Sequence, residues 1–559
     1  MSQRSKFSKA RARSIIYSLV VIFLFLISDL IWLQLIRGET LARRARDQRI
    51  EALYKTPLRG TIYDRNMQVL AGTFYEPAIV IFPQLVSEKD KVAEFLSRTS
   101  NTSMPLEAYL SQLLAQTCIY LDASKITLDN SHSEIPDDPG VTVIRQPVRY
   151  EPRGLAAHLI GYLDNGKISG ISGIEKSLDT YLSSGRTGLI ASFVDARRLP
   201  YKGLGIRWLA DTESIADVVL TIDRKAQQIV EEVMDARVLR GAVVVMDPKT
   251  GQVLAMASRP TFSPNDVGSA LIQPQSPMIN RAILPYPAGS ILKIVVAACG
   301  LEKNVVSLSE HFHDPGFIDV GSKRFKCYLF DNEGHGAISF LDAMAYSCNS
   351  VFIEVALRIG ARSLVSLYED LGFGATTGIS LPFEQPGLLP NPYHMSLQDT
   401  ANLAIGQGEA LVTPLQLAVL LSVIANGGEF ISPRLVLEII PRERGVRANL
   451  KSGTSRRVLS QDTCRQLTFM LESVTRWGTG QAGWVDELGS CGKTGTAETG
   501  RLDSFGYPIC HAWFAGFTPL KDPRFVIVVF AEEGGSGGEV AAPVFKEIAD
   551  RLLVESLHD

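Results

Sequence analysis

One stretch limits what this chain can fold into more than any other. From Ile15 to Ile36 the sequence reads IIYSLVVIFLFLISDLIWLQLI, 22 residues with a single carboxylate, Asp29. At 1.5 Å rise per residue a helix of that length reaches about the 30 Å of a bilayer core. A cleaved signal peptide has an apolar region of only about 7–15 residues and then a small-x-small site. Here the run continues into Arg37-Gly38-Glu39-Thr40, so an uncleaved anchor is expected. A carboxylate in lipid is costly, so Asp29 either faces a partner helix or lies near the outer interface; the alternative is a residue merely tolerated near a helix end. Arg4, Lys6, Lys9, Arg11 and Arg13 precede the run, and Arg37, Arg43, Arg44, Arg46 and Arg49 follow it. The positive-inside count is therefore tied and does not orient the helix. No other stretch is long and apolar enough to span, so the rest of the chain is expected on one side of the membrane.

That remainder has the composition of folded domains. The 559 residues are 46% hydrophobic and 21% charged, which excludes wholesale disorder or a collagen-like repeat. Lys plus Arg number 56 against 59 for Asp plus Glu, a net charge of −3, so no basic excess suggests nucleic acid as a partner. Seven cysteines (Cys118, Cys299, Cys327, Cys348, Cys464, Cys491 and Cys510) are scattered, the nearest pair 19 apart. Without a CxxC, zinc and thioredoxin-type sites are not expected, and no metal or cofactor is assigned.

After the anchor, Glu39 to Tyr54 reads as a charged helix. Arg59 to Asn66 and Val69-Leu70-Ala71 read as strand, turn, strand. A helical stretch follows near Asp90–Ser97, then a polar loop at Asp129–Gly140. Gly161, Gly166, Gly170, Gly173, Gly185 and Gly188 suggest an extended, loop-rich part. Val218 to Asp223 reads as a strand ending at a helix start, with a domain boundary near residue 236. Beyond it, Ala242–Met246 and Val253–Ala257 flank an Asp247-Pro248-Lys249-Thr250-Gly251 turn. A helical middle runs from about 290 to 480; strands return at Cys491–Ala497, Ala512–Phe517 and Phe525–Ala531, and a last helix at Ala542–Leu553. Helices inserted between strands from both ends of a domain predict an α+β fold with an antiparallel sheet flanked by helices.

Three short patterns carry chemistry. In Pro287-Ala288-Gly289-Ser290-Ile291-Leu292-Lys293, Ser290 falls at a helix start and Lys293 one turn later on the same face. A serine hydroxyl needs a base to become a nucleophile, and a lysine serves once burial or a nearby cation lowers its pKa. The second pattern is Ser347-Cys348-Asn349, 57 residues after Ser290; Ser263-Pro264-Asn265 has the same form but reads as a turn. The third is Lys493-Thr494-Gly495-Thr496 on a late strand, where Gly495 allows a substrate backbone to come close. Lys249-Thr250-Gly251 repeats its first three residues but lies in a hairpin turn and is taken as structural. Each pattern is weak alone. Together, in this order, they match the penicillin-recognising serine enzymes.

The chain as a whole resembles the class B penicillin-binding proteins, bitopic peptidoglycan D,D-transpeptidases of the penicillin-binding protein 2 and division type. Arg59-Gly60-Thr61-Ile62-Tyr63-Asp64-Arg65 is similar to the first motif of that family's pedestal. His158-Leu159-Ile160-Gly161-Tyr162 and Gly173-Ile174-Glu175, with Leu182 and Gly185, are similar to the second. Asn280-Arg281-Ala282, Gly406-Gln407-Gly408, Thr413-Pro414-Leu415-Gln416, Ala425-Asn426-Gly427-Gly428, Gly478-Thr479-Gly480 and His511-Ala512-Trp513-Phe514-Ala515-Gly516 fit the catalytic half. Pro287-Ala288-Gly289 stands where Pro-Pro-Gly is common, and Tyr150-Glu151-Pro152 where Tyr-Pro is usual.

The resemblance implies a cytoplasmic tail (1–14), an anchor (15–36), a β-rich pedestal (37–235) and a transpeptidase domain (236–559). It also implies the roles. Ser290 attacks D-Ala-D-Ala, Lys293 is its base, and Ser347 relays a proton to the leaving D-Ala. Asn349 binds substrate backbone, Lys493 adds positive potential, and the hydroxyls of Thr494 and Thr496 suit the terminal carboxylate. The backbone N–H groups of Ser290 and Thr496 form the oxyanion hole. The implied partners are stem peptides, β-lactams, the membrane and a polytopic glycan polymerase, with the catalytic domain outside the cytoplasm. No glycosyltransferase acidic motif precedes residue 236, which argues against a bifunctional protein. A D,D-carboxypeptidase or β-lactamase using water stays open, because the motifs do not identify the acceptor. A non-catalytic sensor or scaffold is the rival of another kind; fourteen residues before the anchor leave little room for signalling, and all three motifs are intact.

Overall fold

The computed structural model describes residues 2–99, 119–122, 135–151, 154–165, 168–195, 206–209, 215–330, 333–441, 448–449 and 455–556. Part of the expected 129–140 loop, together with Cys118, Pro152 and Gly166, lies outside them. The chain divides into two compact units.

The first unit comprises residues 1–56, 75–147 and 187–211. It begins with the helix Ser2–Ile31, which continues as a wider turn over Trp32–Ile36. Arg11–Ile36 is the single described helix long and apolar enough to cross a membrane, and none of its residues is buried. The charged helix is shorter than predicted. It spans Gly38–Asp47, and Ile50–Arg59 is already a strand. That strand joins a sheet ordered Ile50–Arg59, Ser183–Phe193, Ile206–Leu209, so strand pairing overrides the local charge pattern. A small core forms where helix Lys89–Thr99 lays Val92, Phe95 and Leu96 on Ile79 and Ile81.

The second unit comprises residues 57–74, 148–186 and 212–559. At its centre is a fully antiparallel five-stranded sheet, ordered Val253–Arg259, Gly241–Met246, Phe525–Ala531, Pro508–Thr518, Cys491–Leu502. Its inner strands are almost unbroken apolar runs because both faces are covered. Val243, Val245, Phe514, Ile527 and Val529 meet the helices Arg224–Arg237 and Ala542–Glu555. Val244, Met246, Trp513, Val528 and Phe530 belong to the larger core with Lys293–Glu302, Pro414–Ala425 and Gln461–Arg476. The α+β sheet with flanking helices is as predicted. The boundary expected near residue 236 falls inside helix Arg224–Arg237, which Asp223 caps by accepting from the N–H groups of Lys225 and Ala226.

The glycine-rich stretch is not loop throughout. Short helices occupy Ala157–Ile160, Gly173–Ser177 and Asp179–Leu182 before strand Ser183–Phe193. Gly161 is there for closeness: it has φ +83°, and a Cβ on it would fall 1.9 Å from Ser172 O. The two pedestal-type motifs meet through charge. Glu175 is fully buried; its Oε2 accepts from Arg59 Nε at 2.8 Å and its Oε1 from Arg149 Nε at 2.7 Å. Arg59 also donates to the carbonyls of Ile168 and Glu175, and Arg149 to that of Gly60. Removing one partner of a buried ionic group strands the other charges. Glu175→Ala should therefore lower unfolding stability by about 3–5 kcal/mol; an unchanged urea or thermal midpoint would show that the cluster carries no stability.

Candidate active site

Ser290 lies in the single 3₁₀ turn Gly289–Leu292, which runs directly into helix Lys293–Glu302. Lys293 is wholly buried. Its Nζ donates to Ser347 O at 2.6 Å, to Asn349 Oδ1 at 2.7 Å and to Ser347 Oγ at 3.2 Å. Lys493, on the Cys491–Leu502 strand, is also wholly buried. Its Nζ donates to the same Ser347 Oγ at 2.9 Å and to Thr494 O at 3.2 Å. The Ser347 hydroxyl is thus shared by two ammonium groups.

Electrostatics follows from that geometry. Burial pulls Lys293 down to about 8. Burial and then the neighbouring Lys293 charge pull Lys493 well below the usual lysine range. Two cations sharing one hydroxyl in a dry space favour loss of a proton, so the site holds a proton acceptor near neutral pH and a hydroxyl that links two nitrogen atoms. Ser347 adopts φ +57°, a left-handed conformation that costs a non-glycine residue free energy. Its N–H bonds Met344 O and the next N–H bonds Ala343 O, which pins the corner to the preceding helix, Phe340–Ala345. Asn349 opens helix Asn349–Ile359 and donates through Nδ2 to Lys326 O at 2.9 Å.

The third pattern forms one side of the site. Cys491–Leu502 is one edge of the sheet and, among the described residues, pairs only with Pro508–Thr518. A Cβ at Gly495 would lie 2.6 Å from Ala288 O and 2.8 Å from Ile291 Cγ1, so only glycine lets this strand lie against the turn that carries Ser290. Thr494 Oγ1 pairs with Thr479 Oγ1 at 2.7 Å. Thr496 is exposed, and its hydroxyl accepts from Gly537 N at 3.3 Å.

The structure therefore gathers Ser290, Lys293, Ser347, Asn349, Lys493, Thr494, Gly495 and Thr496 around one corner. One detail differs from the expected pairing. Among the described residues the Ser290 hydroxyl has no hydrogen-bond partner; Lys293 is turned to Ser347 and Asn349 instead. The two look-alike patterns stay apart from the motifs. Thr250 donates to Asp247 within its hairpin turn, and Asn265 caps Tyr150 O. Sequence reasoning missed the Thr479 contact, although Gly478-Thr479-Gly480 had marked the segment. It also missed a cluster of Asp314, Cys327, His335 and Cys348, four groups from separate stretches with no local spacing to reveal them.

Residues 241–550 match the family described as the penicillin binding protein transpeptidase domain, and residues 54–203 the penicillin-binding protein dimerisation domain. The chain is similar to stage V sporulation protein D of Bacillus subtilis, at 30% identity over 96% of this chain and 84% of the relative. It is also similar to the peptidoglycan D,D-transpeptidase MrdA of Acinetobacter baumannii, at 27% identity over 98% of this chain and 88% of the relative. Among solved structures, penicillin binding protein 3 of Mycobacterium tuberculosis complexed with aztreonam superposes with a TM-score of 0.65 at 26% identity, covering 90% of this chain and 97% of that one. With a transpeptidase-domain match over more than half its length and the three motifs assembled at one corner, this chain belongs to the class B penicillin-binding proteins.

Proposed function

We propose that this protein is a serine-type D,D-transpeptidase that cross-links peptidoglycan stem peptides through an acyl-enzyme on Ser290, and that β-lactams block it at the same atom. The observation that carries this reading is the Ser347 hydroxyl held between the Nζ atoms of Lys293 and Lys493, beside the Ser290 turn and an open sheet edge.

In this reading the donor peptide adds as a strand to the free edge of Cys491–Leu502, where backbone pairing fixes its register. Asn349 holds its backbone, and Lys493, Thr494 and Thr496 receive its terminal carboxylate. Ser290 Oγ attacks the carbonyl carbon of the penultimate D-Ala, and neutral Lys293 takes the hydroxyl proton. The N–H groups of Ser290 and Thr496 stabilise the oxyanion, each worth about 3 kcal/mol. The C–N bond to the terminal D-Ala then breaks, and Ser347 passes a proton to the leaving amine. An amine of a second stem peptide attacks the acyl-enzyme and completes the cross-link. Because the resting Lys293 is turned to Ser347 and Asn349, substrate binding has to bring the Ser290 hydroxyl within its reach.

The division into tail (1–14), anchor (15–36), pedestal (37–235) and catalytic domain (236–559) belongs to the same reading; the family matches at 54–203 and 241–550 support the last two parts, and the apolar helix Arg11–Ile36 supports the anchor. So does a single-pass topology with the catalytic domain outside the cytoplasm, where cross-linking takes place. A polytopic glycan polymerase is the proposed membrane partner. Depletion followed by microscopy identifies the machine served: filaments for division, rounding for elongation, failed spores for sporulation.

Two experiments test the mechanism. Ser290→Ala should abolish labelling by a fluorescent penicillin while the protein stays folded; labelling that persists would remove Ser290 from the reaction. The second is a pH profile. Lys293, lowered to about 8 by burial, is active in its neutral form, so the acylation rate should rise about tenfold per pH unit below that value and level off above it. A rate independent of pH across that range would rule out Lys293 as the base.

A further inference from the structure

The turn that carries the nucleophile is tied to the sheet by a side chain that none of the steps above uses. Trp513 lies in strand Pro508–Thr518, opposite Gly495 on one side and Phe530 on the other. It is wholly buried. Its ring packs on Phe530 with centroids 4.2 Å apart and meets Tyr286 at 6.5 Å. A buried indole N–H needs an acceptor, and Nε1 donates to Pro287 O at 3.0 Å. Pro287 stands three residues before Ser290. The 3₁₀ turn starts just beyond it, where Ile291 N donates to Ala288 O.

Other backbone ties of this segment lead elsewhere. Gly289 N donates to Gly406 O at 3.2 Å, and Tyr286 and Val412 exchange backbone bonds of 2.9 and 3.0 Å. Those partners lie between helices Leu397–Ala404 and Pro414–Ala425. Strand Cys491–Leu502 meets the turn through glycines. A Cβ on Gly495 would lie 2.6 Å from Ala288 O and 3.1 Å from Trp513 Cβ, and one on Gly289 would lie 2.5 Å from Thr496 O. Missing side chains permit that approach but do not hold it. The indole bond supplies the attraction, because it runs from the strand paired with Cys491–Leu502 to the residue leading into the turn. Ser290 and Thr496 stand on the two sides of this seam. An oxyanion hole works when its donors lie about 2.7–3.1 Å from the developing charge. A displacement of about 1 Å costs on the order of 100-fold in rate. The spacing across the seam therefore bears directly on the chemistry.

We propose that Trp513 is a positioning residue for acylation: its indole N–H sets the spacing between the Ser290 turn and the Thr496 strand, and with it the oxyanion hole formed by their N–H groups. This role rests on the acyl-enzyme reading and adds to it a residue that touches no substrate. The bonds of Lys293 run to Ser347 and Asn349, so loss of the indole N–H leaves the base with its own partners.

Trp513→Phe keeps an aromatic ring beside Phe530 and removes the N–H. With the full chain in detergent, stopped-flow mixing with a fluorescent penicillin separates the reversible dissociation constant from the first-order acylation rate. The acylation rate should fall about tenfold while the dissociation constant changes less than about twofold. The pH midpoint of acylation, set by Lys293 at about 8, should stay at its wild-type position. A merely structural role would lower the thermal midpoint and leave the rate of the folded protein unchanged. Acylation within about threefold of wild type overturns the proposal. So does a loss carried wholly by the dissociation constant, or one accompanied by a shifted pH midpoint, which would place the effect on the base. Where Trp513→Phe fails to fold, benzothienylalanine at the same position decides, since it keeps the bicyclic shape with sulfur in place of the N–H. The two readings fail separately. Labelling that persists in Ser290→Ala removes the acyl-enzyme on Ser290, whereas lost labelling there with wild-type acylation in Trp513→Phe removes only the role of Trp513.

Discussion

Two buried ammonium groups converging on one hydroxyl organise the catalytic unit. An isolated cation in a dry interior is costly and survives only with hydrogen-bond acceptors held in place. Lys293 and Lys493 find theirs in Ser347 O and Oγ, Asn349 Oδ1 and Thr494 O. Those acceptors come from a helix start, a strained corner and an edge strand. All three elements must therefore be rigid relative to one another. The sheet supplies the rigidity: Val243, Val245, Phe514, Ile527 and Val529 bury one face, and Val244, Met246, Trp513, Val528 and Phe530 the other. The core covers both faces, and Cys491–Leu502 is one of the sheet's two edges, the one that lies against the turn carrying Ser290.

The same logic of paired buried charge recurs at Glu175. There the carboxylate is the shared group and Arg59 and Arg149 converge on it. Near it, Asp64 closes its own turn by accepting from the N–H groups of Asn66 and Gln68, and its second oxygen accepts from Arg224 N. Arg59 and Asp64 are thus five residues apart in one motif and serve different partners, Glu175 in the first case and the start of helix Arg224–Arg237 in the second. A motif that reads as a strand and a turn is, in physical terms, a pair of charged anchors on a short strand.

What could be read from sequence was what depends on local backbone chemistry. Gly289 before Ser290 and an apolar run after it dictate a turn into a helix. The two Thr-Gly patterns separate because Asp247-Pro248 makes one a hairpin turn while Cys491–Ala497 is strand-like. Four apolar residues in a row at Val243–Met246 give a strand covered on both faces. What could not be read depends on distant partners. The Ile50–Arg59 segment is a strand because Ser183–Phe193 lies beside it, and nothing in its own residues announces that. Nothing beside Ser347 and Asn349 singles out Cys348, since its neighbours Asp314, Cys327 and His335 arrive by tertiary folding. Gly161 looked like a loop residue because close approach to Ser172 O leaves the same signature as flexibility.

The open edge is also a hazard, because unpaired strand backbone invites pairing with any extended chain. Here closeness limits that pairing. The turn carrying Ser290 crowds Gly495 to 2.6 Å from a virtual Cβ, and Gly537 lies equally close on another side, where a Cβ would meet Gly495 O and Trp513 O at 2.4 Å. Side chains larger than hydrogen at either position would push the edge away from the turn that carries Ser290. Cys491 to Gly495 are buried, and exposure along the strand begins at Thr496, whose hydroxyl is tied to Gly537 N. In the proposed reaction the donor strand adds here with its backbone beside the turn that carries Ser290. In the proposed reaction that closeness selects for one peptide geometry, and the two glycines are as much a part of the selection as the charged residues around Ser347.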